Sequence, residues 1–174
     1  MKNTDTQKVK VTMKGNPIAL MGTPVGVGQA APDFKVVDAA FKPVKLSDFK
    51  GQVVLISAVP SLDTGVCSLQ TKRFNEEASH LPSNVVVLTI SEDLPFAQKR
   101  FCGAEGLKNV IPLSTFRHPE FGDVYGVRMA DSDLKGLMSR AIVVIDESGK
   151  VVYTEQVAEI SNEPDYGKAI KAVG

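Results

Sequence analysis

Two cysteines, Cys67 and Cys102, are the residues best suited to chemistry in this sequence. Cys67 follows an apolar run and a turn-forming segment, residues 60–65, and stands where a helical pattern begins. Free backbone N–H groups and the helix dipole at such a position favour negative charge, so they stabilise a thiolate relative to a thiol. The sequence therefore predicts a nucleophilic sulfur at residue 67.

Thr64 lies three residues before Cys67 and is placed to donate a hydrogen bond to the sulfur or to a bound oxygen. The spacing is equally compatible with a structural interpretation. In that case Thr64 or Asp63 only caps the helix, and Cys67 is a small buried apolar side chain. Spacing alone leaves both alternatives open.

Cys102 lies in a second helical pattern, one residue after Phe101, and its simplest interpretation is a buried structural thiol. A disulfide in the cytosol is more often catalytic or redox-sensing than structural. Such a bond needs Cα atoms within about 7 Å, which cysteines on separate helices rarely reach in a resting fold. We therefore expect both helix starts to rearrange or fray if Cys67 and Cys102 become linked.

Other kinds of site receive little support from the sequence. The spacing of His80 and His118 relative to the two cysteines matches no zinc-ligand pattern. There is no Cys-x-x-Cys motif. The glycines of residues 22–28 lie in a proline-containing loop and lack the context of a nucleotide-binding fingerprint. We predict neither a metal nor an organic cofactor.

The elements that must position these residues follow from the hydrophobic pattern. Val- and Ile-rich runs with little alternation, typical of strands buried on both faces, occur at residues 53–59, 85–90 and 141–145. A loop at residues 146–149 leads from the last of them into a further strand, residues 151–153. The turn-prone pair Gly15-Asn16, between the short runs 9–12 and 17–20, predicts a hairpin within an N-terminal extension, residues 1–27. Residues 22–32 read as a connector.

Helical spacing occurs in three places. The apolar faces are Cys67, Thr71, Phe74, Ala78 and Leu81; Leu94, Ala97, Phe101 and Ala104; and Tyr166, Ala169, Ile170 and Val173. We expect residues 91–93 to cap the second helix, Asn162 to cap the third, and Pro164 to lie in its first turn. The alternation of strands and helices predicts an α/β fold with a mixed central sheet.

The length and composition of the chain limit the classes of function that it can have. The 174 residues correspond to one domain, 1–174, and 43% hydrophobic with 23% charged residues is ordinary for a soluble globular protein. Twenty basic residues balance twenty acidic ones, which argues against binding to nucleic acid or to an anionic membrane. The N-terminus lacks the apolar segment of a secretory signal, so we expect a cytoplasmic protein.

The segment around Cys67 resembles the active-site signature of peroxiredoxins, Pro-x-x-x-Thr-x-x-Cys, with Pro60, Thr64 and Cys67 in the matching positions. The wider similarity is to the thiol peroxidase branch, the atypical two-cysteine peroxiredoxins. It covers nearly the whole chain and is carried by residues 28–34, 61–67, 70–75, 91–97, 100–106, 123–127 and 139–141. Gly65 departs from the pattern, because many relatives carry proline there, and it gives the turn more backbone freedom.

The resemblance implies a thioredoxin-like fold and a thiol-dependent peroxidase that acts on hydrogen peroxide and organic hydroperoxides. It implies that Cys67 attacks the O–O bond and becomes a sulfenic acid, that Thr64 orients the sulfur and the peroxide, and that Pro60 shields the intermediate. Arg140 would stabilise the thiolate and the peroxide oxygens. Cys102 would resolve the sulfenic acid as an intramolecular disulfide with Cys67, which thioredoxin would reduce.

The residue type of Arg140 agrees with this role, since it opens the apolar run 141–145 and its planar fork of donors suits two oxygens at once. Without the resemblance, a solvated charge at a strand end would be the simpler interpretation. The resemblance also implies a homodimer, for which residues 123–127 and the segment after Cys67 are candidate interfaces. We expect Pro60, Phe96 and Phe116 to line the mouth of the site and to admit alkyl groups.

Two other hypotheses remain compatible with the residues. In the first, Cys67 and Cys102 form a redox switch that alters binding to a partner protein without catalysis. In the second, both thiols are buried and unreactive. Repeated turnover distinguishes an enzyme from a switch, and reaction with a thiol reagent at acidic to neutral pH distinguishes a reactive sulfur from an inert one.

Overall fold

The computed structural model of the protein describes residues 10–174. In chain order, its strands are β1 (Val11–Met13), β2 (Asn16–Ile18), β3 (Leu20–Met21), β4 (Lys35–Val37), β5 (Pro43–Lys45), β6 (Val53–Ala58), β7 (Val85–Ser91), β8 (Ile111–Ser114), β9 (Arg128–Met129), β10 (Ala141–Ile145) and β11 (Val151–Gln156). Its helices are α1 (Gly65–Ala78), α2 (Pro95–Glu105), α3 (Glu120–Val124) and α4 (Tyr166–Val173), and a short 3-10 helix covers Leu46–Phe49.

Seven strands of the described chain form one mixed sheet in the order β11-β10-β6-β7-β8-β4-β5. The strands β6, β7 and β8 are parallel neighbours, whereas β10 is antiparallel to both β6 and β11. Every residue of β6 and β10 is buried, as the continuous apolar runs predict. The predicted mixed sheet with buried central strands is therefore confirmed.

Helices and loops cover both faces of this sheet. On one face Phe74 of α1 and Ala169 of α4 pack against Leu55 and Ile142 in a shared apolar cluster. On the other face an aromatic group built around Phe34 packs against the sheet, and its ring meets the ring of Phe121 edge-on at 5.2 Å. The sheet thus lies between two apolar layers.

The first predicted helix forms as α1, with Cys67, Thr71 and Phe74 among its buried residues. The helix ends at Ala78, so Leu81 lies beyond it, although its side chain still packs against the same apolar cluster. The predicted apolar face of α1 is therefore correct over the helix itself.

The third predicted helix forms as α4, but its start differs from the prediction. The N-cap is Asp165, whose carboxylate accepts a hydrogen bond from the Lys168 N–H at 2.9 Å, and Pro164 precedes the cap. The predicted cap, Asn162, instead donates its backbone N–H to the Glu159 carbonyl in a preceding turn. Because the residues before Asp165 form this turn, the helix begins later in the chain than predicted.

The second predicted helix forms as α2, but its predicted cap is wrong, and its predicted apolar face is only partly turned inward: Phe101 packs beside Cys67, whereas Ala104 is exposed. It begins at Pro95 after Leu94, which is exposed, and its buried residues are Pro95 and Gln98. The Gln98 amide donates to Ser91 Oγ at 3.0 Å and to the Leu113 carbonyl at 2.8 Å, which compensates for burying a polar side chain. These hydrogen bonds to the sheet decide which face of α2 turns inward.

The predicted N-terminal hairpin forms from β1 and β2, with Val11 opposite Ile18; residue 9 lies outside the described chain. The hairpin packs through Val11 and Ile18 against Met129 and Ile160. It thereby lies beside the segment that leads from β11 to α4, close to the end of the sheet where the cysteine of α1 is located.

Candidate active site

Cys67 lies in the first turn of α1, at the carboxyl end of the buried strand β6, as predicted. Its side chain is fully buried and packs with Val59, Leu62 and Phe101. The loop that follows the strand leads directly to the N-terminus of the helix, and the sulfur lies in the first turn there. The predicted location of Cys67 at the start of the helix is confirmed, and its burial is compatible with both the nucleophilic and the structural interpretation.

Arg140 lies immediately before β10 and is only 2% exposed. Its Nε donates to the Ile160 carbonyl oxygen at 3.0 Å, and Nη1 donates to Gln70 Oε1 at 2.7 Å. Its Nη2 lies 3.5 Å from Cys67 Sγ. The interpretation of Arg140 as a solvated strand-end charge is therefore wrong, because the pairing of β10 with β6 places it against the loop that follows β6.

The charge of Arg140 has an electrostatic consequence for Cys67. Of the three groups that accept its hydrogen bonds, the backbone carbonyl and the Gln70 amide are uncharged, and the third is the sulfur. A buried cation is costly unless an anion compensates it. The sulfur of Cys67 is the only ionisable group among these three acceptors.

Gln70 is a residue of the site for which no functional role was predicted from the sequence. It is fully buried on α1, one turn after Cys67, and its amide nitrogen donates to Ser57 Oγ at 2.7 Å. Gln70 thus links the sheet to the guanidinium of Arg140. A polar residue three positions after the cysteine, beside an otherwise buried helical stripe, is the sequence signal that marks it.

Thr64 stands at the N-cap position of α1 with an extended backbone. Its hydroxyl donates to the Ser61 carbonyl oxygen at 3.0 Å instead of capping the helix or bonding the sulfur. Thr64 and the buried Pro60 both line a cavity that Arg140 also reaches. Three of the five predicted site residues therefore share one opening at the N-terminus of α1.

This cavity has a volume of about 280 Å³ and walls that are largely apolar. Its apolar lining comes from Met13 of the hairpin, Val66 of α1, Leu134, Leu137 and Ile160. Phe96 and Phe116, which we expected at the mouth, are not among its lining residues.

Phe96 and Phe116 instead flank Phe41, with ring centroids 4.9 Å and 6.0 Å from it. Phe96 extends outward from the start of α2 and is 70% exposed, because the inward face of α2 is taken by Pro95 and Gln98. The prediction that these two rings line the mouth of the site is therefore wrong.

Asp93 ties the loop before Cys67 to the start of α2. Its carboxylate accepts hydrogen bonds from Ser61 Oγ at 2.7 Å, from the Leu62 N–H at 2.8 Å and from Ser91 Oγ at 2.7 Å. Because α2 begins two residues later, at Pro95, the same carboxylate connects the segments that carry the two cysteines.

Cys102 lies in the second half of α2 and is half-buried, and both cysteines carry free thiols. Burial raises the pKa of the Cys102 thiol. Since Cys102 lies near the end of its helix and not at its start, the segment that would have to open around it is the C-terminal half of α2.

Neither histidine contributes to a cluster of metal ligands. His80 is exposed, and His118 Nδ1 lies 3.1 Å from Glu120 Oε1. In residues 10–174 there is no group of three or more His, Cys, Asp and Glu side chains arranged to hold a metal ion. Nor does this part of the chain contain a helix with the length and apolarity needed to cross a bilayer.

A helix that follows a central parallel strand and carries a buried cysteine beside an arginine places the protein among the thioredoxin-like proteins of peroxiredoxin type. The sequence profile of the family described as Redoxin matches residues 26–170. The solved structure of a peroxiredoxin-like protein from Aquifex aeolicus superposes with a TM-score of 0.90 at 41% identity, covering 95% of each chain.

Two named relatives show which branch of this class the chain belongs to. The thiol peroxidase of Listeria monocytogenes is 53% identical over 94% of this chain and 96% of its own length. The thiol peroxidase of Bacillus subtilis is 49% identical, covering 94% of this chain and 95% of its own. The chain therefore belongs to the thiol peroxidases of the Redoxin family, peroxiredoxin oxidoreductases that reduce peroxide with a thiol. The predicted fold and enzyme class are both confirmed.

Proposed function

We propose that the protein reduces hydrogen peroxide and organic hydroperoxides with Cys67 as the attacking thiolate and Cys102 as the resolving thiol. The observation that carries this proposal is the 3.5 Å approach of Arg140 Nη2 to Cys67 Sγ inside the fold. A buried guanidinium whose other acceptors are uncharged makes the sulfur its natural counter-ion. The thiolate is the nucleophilic form of cysteine.

In the first step the Cys67 thiolate attacks the distal peroxide oxygen. An S–O bond forms while the O–O bond breaks, and the sulfur loses two electrons to the peroxide. The leaving oxygen departs as an alkoxide, or as hydroxide from hydrogen peroxide, and takes up a proton to become an alcohol or water. Cys67 is left as a sulfenic acid.

Three neighbours assist this step. The guanidinium of Arg140 stabilises the negative charge that develops on the peroxide oxygens, since its planar donors can reach two of them. The hydroxyl of Thr64 orients the bound peroxide at the cavity that Thr64 lines. Pro60, which is buried and has no N–H to hydrate, keeps water away from the sulfenic acid.

The shape of the cavity supports organic hydroperoxides as substrates. About 280 Å³ of space with Met13, Leu134 and Leu137 in its walls accommodates an alkyl or aryl group, while Arg140 provides the polar end. Hydrogen peroxide requires only that polar end. The same site can therefore act on both substrates.

In the second step the thiol of Cys102 attacks the sulfenic sulfur of Cys67. A disulfide forms and the hydroxyl leaves with the thiol proton as water. Because the two thiols lie on separate helices, the first turn of α1 and the C-terminal half of α2 must open for the sulfurs to meet.

A dithiol protein of the thioredoxin type would then reduce the disulfide and itself become oxidised, which returns both cysteines to thiols. The proposal includes a homodimer in the cytoplasm. Residues 123–127, where the apolar side chain of Val124 is 43% exposed, are a candidate contact between subunits.

Mass spectrometry after one equivalent of hydroperoxide tests the mechanism directly. A peptide crosslink between Cys67 and Cys102 is expected, followed by repeated turnover when thioredoxin and its reductase are supplied. Consumption of a single equivalent, with no further turnover under those conditions, would instead identify a redox switch. Two unmodified cysteines after exposure to peroxide would overturn the proposal.

A further inference from the structure

The carboxylate of Glu159 collects hydrogen bonds from two segments that are far apart in sequence. From the hairpin it accepts Thr12 Oγ1 at 2.8 Å, the Lys14 N–H at 3.0 Å and the Gly15 N–H at 3.1 Å. From its own segment it accepts Ser161 Oγ at 2.7 Å and the Ser161 N–H at 3.4 Å. One side chain thus fastens the tip of the hairpin to the chain between β11 and α4.

Both fastened segments line the cavity that Pro60, Thr64 and Arg140 share at the N-terminus of α1. Met13, the last residue of β1 before the hairpin tip, forms part of its wall. Ile160, next to Glu159, also lines the cavity, and its carbonyl accepts the hydrogen bond from Arg140 Nε. Glu159 therefore joins the two-stranded hairpin to the segment whose carbonyl accepts the hydrogen bond from Arg140.

The hydrogen bonds keep Glu159 ionised under ordinary conditions. Those from the hydroxyls of Ser161 and Thr12 contribute most to lowering the pKa of Glu159 to about 2. Hydrogen bonds to an ionised acceptor are stronger than those between neutral groups. The clamp is consequently present throughout the neutral pH range.

Removing the charge should loosen the hairpin tip selectively. Ile160 is held independently, because its N–H donates to the Thr12 carbonyl at 2.9 Å and the Thr12 N–H donates to the Ala158 carbonyl at 2.7 Å. These backbone bonds do not involve the Glu159 carboxylate, so Arg140 keeps its acceptor. The groups that lose their partner are the N–H groups of Lys14 and Gly15, directly after Met13.

We propose that Glu159 is a positioning residue for substrate specificity: by clamping the hairpin tip it keeps Met13 in the cavity wall and favours hydroperoxides with an apolar group. The inference rests on the proposed peroxidase function. Hydrogen peroxide has no group to contact this wall, so its reduction should not depend on the clamp.

Glu159→Gln tests the proposal, since the glutamine amide turns an N–H donor toward backbone N–H groups. We would measure kcat/KM for cumene hydroperoxide and for hydrogen peroxide with dithiothreitol as reductant. The expected result is a fall of about tenfold in the ratio of the two values, carried by KM for cumene hydroperoxide. Glu76→Gln, which removes an exposed carboxylate in the second half of α1, is the matched control and should leave the ratio unchanged.

Met13→Ala provides a second variant that removes the wall itself and leaves Glu159 intact. It should lower the same ratio in the same direction. The proposal is overturned if Glu159→Gln lowers both activities equally, or if Glu159→Gln leaves the ratio as in the natural sequence. If the unmodified protein reduces neither substrate, the failure lies with the proposed function and not with the clamp.

Discussion

Ala141 of β10 faces Ala58 of β6 across the antiparallel pair, and this register brings Arg140 to Cys67. The residue before Ala141 and the residue after Ala58 lie at the same end of the sheet, where β6 runs into the loop that leads to α1. A guanidinium 73 positions away in sequence thereby comes within 3.5 Å of the sulfur. The approach of the guanidinium to the sulfur is in this sense a consequence of strand pairing.

Arg140→Lys should reduce reaction with peroxide strongly. An ammonium group is a single point charge and cannot serve Ile160, Gln70 and Cys67 together in the planar geometry that the guanidinium provides. We expect kcat/KM for hydrogen peroxide to fall by about 10²-fold in a thioredoxin-coupled assay. Arg117→Lys, a substitution of an exposed arginine, serves as the control and should react normally. Equal activity of the two variants would contradict the role of Arg140.

Gln70→Leu should slow the reaction of Cys67 by releasing one arm of Arg140. The variant leaves Nη1 of Arg140 and the hydroxyl of Ser57 without the partners that Gln70 supplies. The free energy of unfolding should fall by about 1–3 kcal/mol, because buried polar groups lose hydrogen bonds. We expect the rate of the first peroxide turnover to fall by about tenfold, measured by stopped-flow.

Gln98→Leu is the matched control for that experiment. Gln98 is also a fully buried glutamine with hydrogen bonds to the sheet, but its partners are Ser91 and Leu113. It should lower stability comparably and leave the first turnover unchanged. If both leucine variants slow the reaction alike, the effect of Gln70 is one of general stability and not of the arginine.

The two cysteine variants should fail at different steps. Cys67→Ser should show no peroxidase activity above background, because an alcohol is not ionised at neutral pH. Cys102→Ser should consume one equivalent of hydroperoxide, retain a sulfenic acid that a dimedone probe labels, and then stop. Full thioredoxin-linked turnover by Cys102→Ser would remove Cys102 from the resolving role.

Local sequence patterns are sufficient to place Cys67. The apolar run of β6, the turn after it and the helical spacing that starts at the cysteine are all encoded within about 30 residues, and each acts through short-range preferences. The burial of Arg140 does not follow from local sequence patterns, because it depends on the register between β10 and β6, which are far apart in the sequence. Local structural preferences around position 140 do not distinguish an arginine that faces solvent from one that faces a sulfur, and only the family resemblance of residues 139–141 indicates the second.

The orientation of α2 shows the same limit. Its apolar residues suggest one inward face, but the amide of Gln98 gains two hydrogen bonds at the sheet and turns a polar residue inward. Phe96 is left exposed as a result. Similarly, Asp93 is committed to Ser61 and Leu62, which is why it does not cap the helix as its position suggests.

The raised pKa of Cys102 predicts a distinctive pH dependence. Burial disfavours the thiolate of Cys102 in the folded protein, so the fold retains a proton that the unfolded chain would release. The contribution to stability is therefore present below the thiol pKa of the unfolded chain and is lost as pH rises through the higher value of the folded state.

In the Cys67→Ser variant, the alkylation rate of Cys102 should keep rising at pH values where that of glutathione has levelled off. The same variant in concentrated urea provides the control and should follow glutathione. A folded-state profile that coincides with the urea profile would show that burial does not govern the Cys102 thiol.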